Sequence, residues 1–150
     1  MKNLILSSSL SKVLIVMMAF LLPIQPLILI VGGCIVLDTI IGLWRARKLG
    51  QPITSRKLSN VVSKMVLYET SVILFFVIEK FILFDFIHYF ISMDLFLTKI
   101  VACVLVFIEL QSMNESYIII NGYSLWDKLK EMLKRGKDFK GEVENFKKEL

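Results

Sequence analysis

Six ionisable side chains stand inside otherwise apolar runs of this chain. Asp38 lies in LILIVGGCIVLDTIIGLW, Glu69, Glu79 and Lys80 in MVLYETSVILFFVIEKFILF, and Lys99 and Glu109 in the run from Leu95 to Met113. An ionised group near the middle of a bilayer costs several kcal/mol, so each needs a protein partner or water. The chemistry open to such groups is ion pairing between helices, a hydrophilic path, or polar association of subunits. Catalysis is not expected, because the sequence offers no phosphate-binding loop and no nucleophile with a base beside it. Cys34 and Cys103 sit within apolar runs, so they read as small buried side chains. His88 stands alone, and no cofactor or metal set is expected.

Two patterns concentrate these groups. The stretch FIELQSMNES leaves the last apolar run with Glu109, Ser112, Glu115 and Ser116 spaced three and four apart, on one helical face. Such a face suits a subunit contact or water. Cys34, Asp38, Gly42 and Ala46 recur every four residues along the second run. A narrow stripe of small side chains lets helix backbones approach closely, which favours association in lipid. It serves equally for self-association or for packing within one subunit.

Composition supplies the setting. The chain has 150 residues, 56% of them hydrophobic, and a mean hydropathy of +0.70. Ordinary globular domains hold roughly 45–50% apolar residues, so this excess calls for lipid. The formal net charge is +5. Its basic residues fall between and after the apolar blocks, which suits helix ends at an anionic membrane face and not nucleic acid.

The expected fold is an all-α integral membrane protein of three to four transmembrane helices, over about residues 4–22, 27–44, 65–84 and 95–113 of a 1–123 membrane domain. A charged amphipathic cytoplasmic tail follows over 124–150. Each run approaches the roughly 20 residues that cross a bilayer. The first carries four serines and Lys12. It lacks a small-x-small motif after its core, which speaks against cleavage as a signal sequence. Pro23 and Pro26 predict a tight break in PIQP between two antiparallel helices.

Charge orients the spans. The segment from Arg45 to Lys64 holds six basic residues and no acid, whereas DFIHYFISMD holds no lysine or arginine. The positive-inside rule makes the first cytoplasmic and the second external. Four spans with both termini in the cytoplasm satisfy every loop, whereas three would put Lys2 outside. Counting depth from the turns sets Lys12 level with Asp38 and Glu79 level with Lys99, as two prospective ion pairs. Glu69 and Glu109 fall together nearer the cytoplasm, where they repel unless protonated or close to a base such as Lys64 or Arg56. In the tail, SLWD has the form of a capping box, and Leu125, Leu129, Met132 and Leu133 repeat at helical spacing.

The sequence resembles the toxin secretion/phage lysis holin family. LDTIIG (37–42), followed by ITSRK (53–57) in a short basic loop, is similar to that family's aspartate–glycine pair near the end of an early membrane helix. ELQSMNES is similar to its glutamate, serine and acid pattern, which sets Glu109, Ser112 and Glu115 on matching positions and Gly122 on the following glycine. Ser116 departs from the asparagine common there. The likeness covers roughly residues 27–135. It implies a multi-pass protein of the bacterial host's cytoplasmic membrane that forms homo-oligomers in the lipid bilayer. Such an assembly opens lesions through which an endolysin reaches the cell wall for host lysis, with no direct contact to that enzyme required. The helix-association and lesion-lining candidates are then Cys34, Asp38, Gly42, Ala46, Glu79, Lys99, Glu109, Ser112 and Glu115. The alternative is a small membrane transporter or toxin-export component, since charges at midspan would also serve an ion path.

Overall fold

A computed structural model describes the backbone of residues 2–148 and the side chains of residues 11–136. The described residues are helical, with no strand: α1 (Lys2–Leu21), a 3-10 turn (Leu22–Ile24), α2 (Gln25–Lys48), α3 (Ser55–Ile78), a π-helical segment (Glu79–Leu83), α4 (Phe84–Phe90), α5 (Phe96–Asn121) and α6 (Leu125–Lys148).

The helix ends follow local chemistry. The last turn of α2 carries Arg45, Arg47 and Lys48, cations that favour the negative end of the helix dipole. Gly50, at φ +64°, then takes the left-handed conformation that ends the helix cheaply. α5 stops in the same way at Gly122, φ +79°, whose N–H donates to the Ile118 carbonyl at 2.8 Å. Ser124 Oγ accepts from the Asp127 N–H at 3.1 Å and starts α6.

Helices α2, α3 and α5 form the body, each packed against the other two. Their common core is Ile24, Val31, Ile35, Val72, Phe76 and Ala102. This core is small. The outward faces carry bare apolar side chains, among them Leu29, Ile30, Val36, Leu37, Ile40, Val104 and Phe107. The two helical stretches Ser11–Lys48 and Phe96–Asn121 are long and apolar enough to cross a membrane.

Three expectations need correcting. The PIQP segment does not reverse the chain. Leu21, Ile24 and Gln25 all keep right-handed helical dihedrals around the 3-10 turn, and helical backbone runs for 38 residues from Ser11 to Lys48. A proline in the first turn of a helix loses only an N–H that has no partner there, so Pro23 and Pro26 can begin new turns without a loop. Ser11 to Ala19 are accordingly exposed, and α1 meets the body through Phe20 and Leu21. The Phe20 ring lies 5.2 Å from that of Phe76.

The helices also outrun the apolar segments that announced them. α3 begins at Ser55, so Lys64 lies within a helix and only 49–54 connect it to α2. α5 continues to Asn121. Hydropathy marks the part of a helix that suits lipid, whereas backbone hydrogen bonding continues to the next cap. The third correction concerns the ion pairs and belongs to the site.

Candidate functional site: a charged centre between three helices

Lys64 of α3 joins the other two helices of the body. Its Nζ donates to Glu109 Oε2 of α5 at 2.6 Å and lies 3.4 Å from Asp38 Oδ2 of α2. Glu109 is fully buried, while the Lys64 and Asp38 side chains keep 30% and 17% of their exposure. The ammonium thus bridges a sealed carboxylate and a partly open one. Lys64 also lies 5.9 Å from the centroid of the Tyr68 ring, one turn further along α3. Asp38 therefore pairs with Lys64 and not with Lys12.

Among the described residues, two buried carboxylate oxygens lack a partner, one at this centre and one apart from it. Glu109 Oε1 and Glu69 Oε2 are buried without a hydrogen-bond partner. Glu69 lies against α2 where Gly32 leaves room, its Oε1 being 3.0 Å from the point a Cβ on Gly32 would occupy. Two acids and one lysine thus meet at the centre, while Glu69 packs separately against α2. Buried oxygens without a partner are costly.

The centre opens to one end of the body. A cleft of about 280 Å³ is lined by Asp38, Gly42, Ala46, Lys64, Ser112 and Glu115, among others. Around it the basic end of α2 is tied to α5: Arg45 Nη1 donates to Ser116 Oγ at 3.2 Å, and Lys48 Nζ to the Ile120 carbonyl at 2.8 Å. Asn114 Oδ1 accepts the Leu125 N–H at 2.9 Å and so holds the start of α6 at the same end.

Of the residues singled out by sequence, Asp38, Gly42, Ala46, Glu109, Ser112 and Glu115 come together here. Ala46 is buried and Glu115 exposed. The Asp38, Gly42 and Ala46 part of the small-residue stripe lines a cleft inside one subunit, while Cys34 is half-buried. Glu79 and Lys99 stand apart and do not pair with each other. Glu79 instead accepts three hydrogen bonds from the start of α5: Leu97 N–H at 3.1 Å, Thr98 N–H at 2.9 Å and Thr98 Oγ1 at 2.5 Å. The first N–H groups of a helix lack intrahelical partners and carry partial positive charge, so a buried carboxylate is stabilised there. Its neighbour Lys80 turns outward, with Nζ 5.0 Å from the Phe20 centroid and 5.3 Å from that of Phe76.

Sequence reasoning names Lys64 only as a possible neighbour of the acids, and it does not anticipate Thr98, Arg45 or Asn114 as partners. The available signal for Lys64 was its spacing: it lies one turn before Tyr68 and Glu69, so it continues the helix that carries them. No protein-family model matches the chain, and no curated protein or solved structure does either.

Proposed function

We propose that this chain is a holin-like protein of the bacterial cytoplasmic membrane, which assembles with copies of itself and opens lesions that release an endolysin for host lysis. The observation that carries the reading is a bare apolar exterior around an ion-paired centre: Leu29, Val36, Ile40, Val104 and Phe107 are exposed, while Glu109 is fully buried against Lys64, which also reaches Asp38. Apolar faces of this extent are costly in water and suit lipid. The motif likeness around Asp38–Gly42 and Glu109–Glu115 supplies the specific activity, and these motifs flank the charged cleft.

In this reading the body spans the membrane as a multi-pass unit with both termini in the cytoplasm. α2, α3 with its π-helical continuation, and α5 make three crossings, and α1 makes a fourth by bending at Leu22–Ile24. The linked ends of α2 and α5, with Arg45, Arg47, Lys48, Arg56 and Lys57 near them, face the cytoplasm. Asp38, Glu109 and Glu115 become lesion-lining groups when subunits part along the cleft.

The test is induced expression in a bacterium with and without a cytoplasmic endolysin, following turbidity and membrane potential. Abrupt loss of potential after a delay, with turbidity collapsing only when the enzyme is present, is the expected result. Steady growth at confirmed membrane levels would overturn it. The transporter or export reading draws on one observation, the cleft that runs from the basic end to Asp38 and Lys64. Solute movement without loss of viability would favour it.

A further inference from the structure

Helix α6 belongs to none of the packing described above beyond its first residues. Between Leu125 and Gly136 its side chains sort into three zones. Successive residues of an α-helix turn by about 100°, which brings Leu125, Trp126, Leu129, Met132 and Leu133 onto one face. Trp126, Leu129, Met132 and Leu133 are exposed there at 42, 49, 63 and 62%. Lys128 and Arg135 border that face on one side, and Lys130 on the other. Asp127, Glu131 and Lys134 occupy the opposite pole. Glu131 draws in the first border, accepting from Lys128 Nζ at 3.2 Å and from Arg135 at 2.6 Å. The hydrogen bond from Lys128, with the charges of Lys128 and Arg135, holds its carboxyl below the usual carboxylate range.

We propose that this face of α6 lies on the anionic inner surface of the membrane, with Trp126, Leu129, Met132 and Leu133 dipping into the headgroup boundary and the bordering cations meeting lipid phosphates. The inference rests on the membrane reading above. Charge placement selects the occupant. A second copy of α6 laid against the same face would bring two cationic borders together, whereas an anionic lipid surface neutralises both and leaves the acids toward water. Position selects it as well. Three residues, 122–124, separate α6 from α5, and Asn114 and Ser124 fix its first turn at the end of the body where the cations of α2 gather. The amphipathic face thus emerges at headgroup level beside a helix able to cross the bilayer, and tryptophan is a side chain enriched at that depth.

The experiment uses the full chain with Trp44→Phe, which leaves Trp126 as the one tryptophan of the two in the sequence. It is reconstituted in bilayers of phosphatidylcholine alone or with phosphatidylglycerol, and Trp126 emission is read with and without lipids brominated near the headgroup. A carbonate wash first shows whether the chain is embedded. Release by the wash overturns the membrane reading and this inference together. With the chain retained, the inference expects a blue shift and bromolipid quenching that depend on phosphatidylglycerol and weaken at high salt. Lys128→Gln with Lys130→Gln should lower the ratio of lipid-bound to free helix by on the order of tenfold or more, since each lysine near an anionic surface contributes about 1 kcal/mol. Water-like emission in both bilayers overturns the inference alone. Quenching that ignores both phosphatidylglycerol and the paired substitution overturns its electrostatic part and with it the anionic surface. Emission that follows protein density but not bromination assigns the face to a second copy instead.

Discussion

Lys64 is the residue on which the interior depends. Its ammonium is shared between carboxylates of two other helices, so Lys64→Met leaves Glu109 sealed in the body without a counter-ion. Breaking a buried pair by removing one partner costs about 3–5 kcal/mol, more than the pair itself contributes over an apolar replacement. The expected outcome is a large loss of resistance to unfolding in detergent for Lys64→Met, much of it recovered when Glu109→Gln is added. A double-mutant cycle measures this directly. Losses that simply add would show that Lys64 and Glu109 are not energetically coupled. Asp38→Asn should cost less, because that side chain keeps some exposure and lies further from the ammonium.

Height along the body was legible for Glu109 and not for Lys12, and side-chain direction was not legible at all. Counting residues from each turn sets Glu109 near the basic end, and Lys64 is the base found beside it. The same count sets Glu79 level with Lys99, yet the carboxylate turns to the backbone of Leu97 and Thr98. Depth follows from 1.5 Å per residue, whereas the direction of a side chain depends on the helix phase, which a π-helical segment at Glu79–Leu83 shifts. A single extra residue in a turn rotates everything after it. No apolar periodicity records that rotation, and a depth count passes over it.

At the scale of the helix, Glu79 serves as the cap that α5 lacks in its own sequence. Leu95 precedes α5 in the left-handed conformation, φ +57°, and provides no side-chain oxygen to the first turn. The acid arrives from another element, which ties the far end of α3 to the start of α5. Glu79→Ala should therefore strand the N–H groups of Leu97 and Thr98, at about 1–3 kcal/mol for each buried donor left unsatisfied. Amide exchange at those two positions is the measurement, and faster exchange confined to the first turn of α5 is the expected outcome. Unchanged protection at both would mean that the cap is not needed. Helix existence was plain from the apolar runs. The ends were not, because 55–64 is polar enough to pass for a loop, and the polar step at 114–116 interrupts an apolar run that resumes at 117–120, while both still hydrogen bond as helix.

For the whole molecule, the decisive quantity is the length of the stretch Ser11–Lys48. Its 38 helical residues extend about 57 Å at 1.5 Å per residue, nearly twice a hydrocarbon core of about 30 Å. A straight rod of that length would carry the exposed apolar side chains of Val13 to Met18 out into water on the far side. In the membrane reading the bilayer adds a force that the isolated chain does not feel, and it acts on the joint at Leu22–Ile24, where two prolines have already removed backbone donors. In the proposed four-span arrangement a bend there returns α1 to lipid and Lys2 to the cytoplasmic side, although the isolated chain keeps the joint helical.

Spin labels at Val13 and Val36, with Cys34 and Cys103 first changed to serine, report the bend. Twenty-three residues of continuous helix separate the labels by about 35 Å. Two helices folded against each other come within about 10 Å of axis separation. In bilayers the distance should fall well below the value for continuous helix, as four crossings require. A distance that stays near 35 Å in lipid would leave the body with three crossings and sink the four-span arrangement. α1 would then project beyond the membrane with its apolar face uncovered, and that face would have to be buried by another subunit.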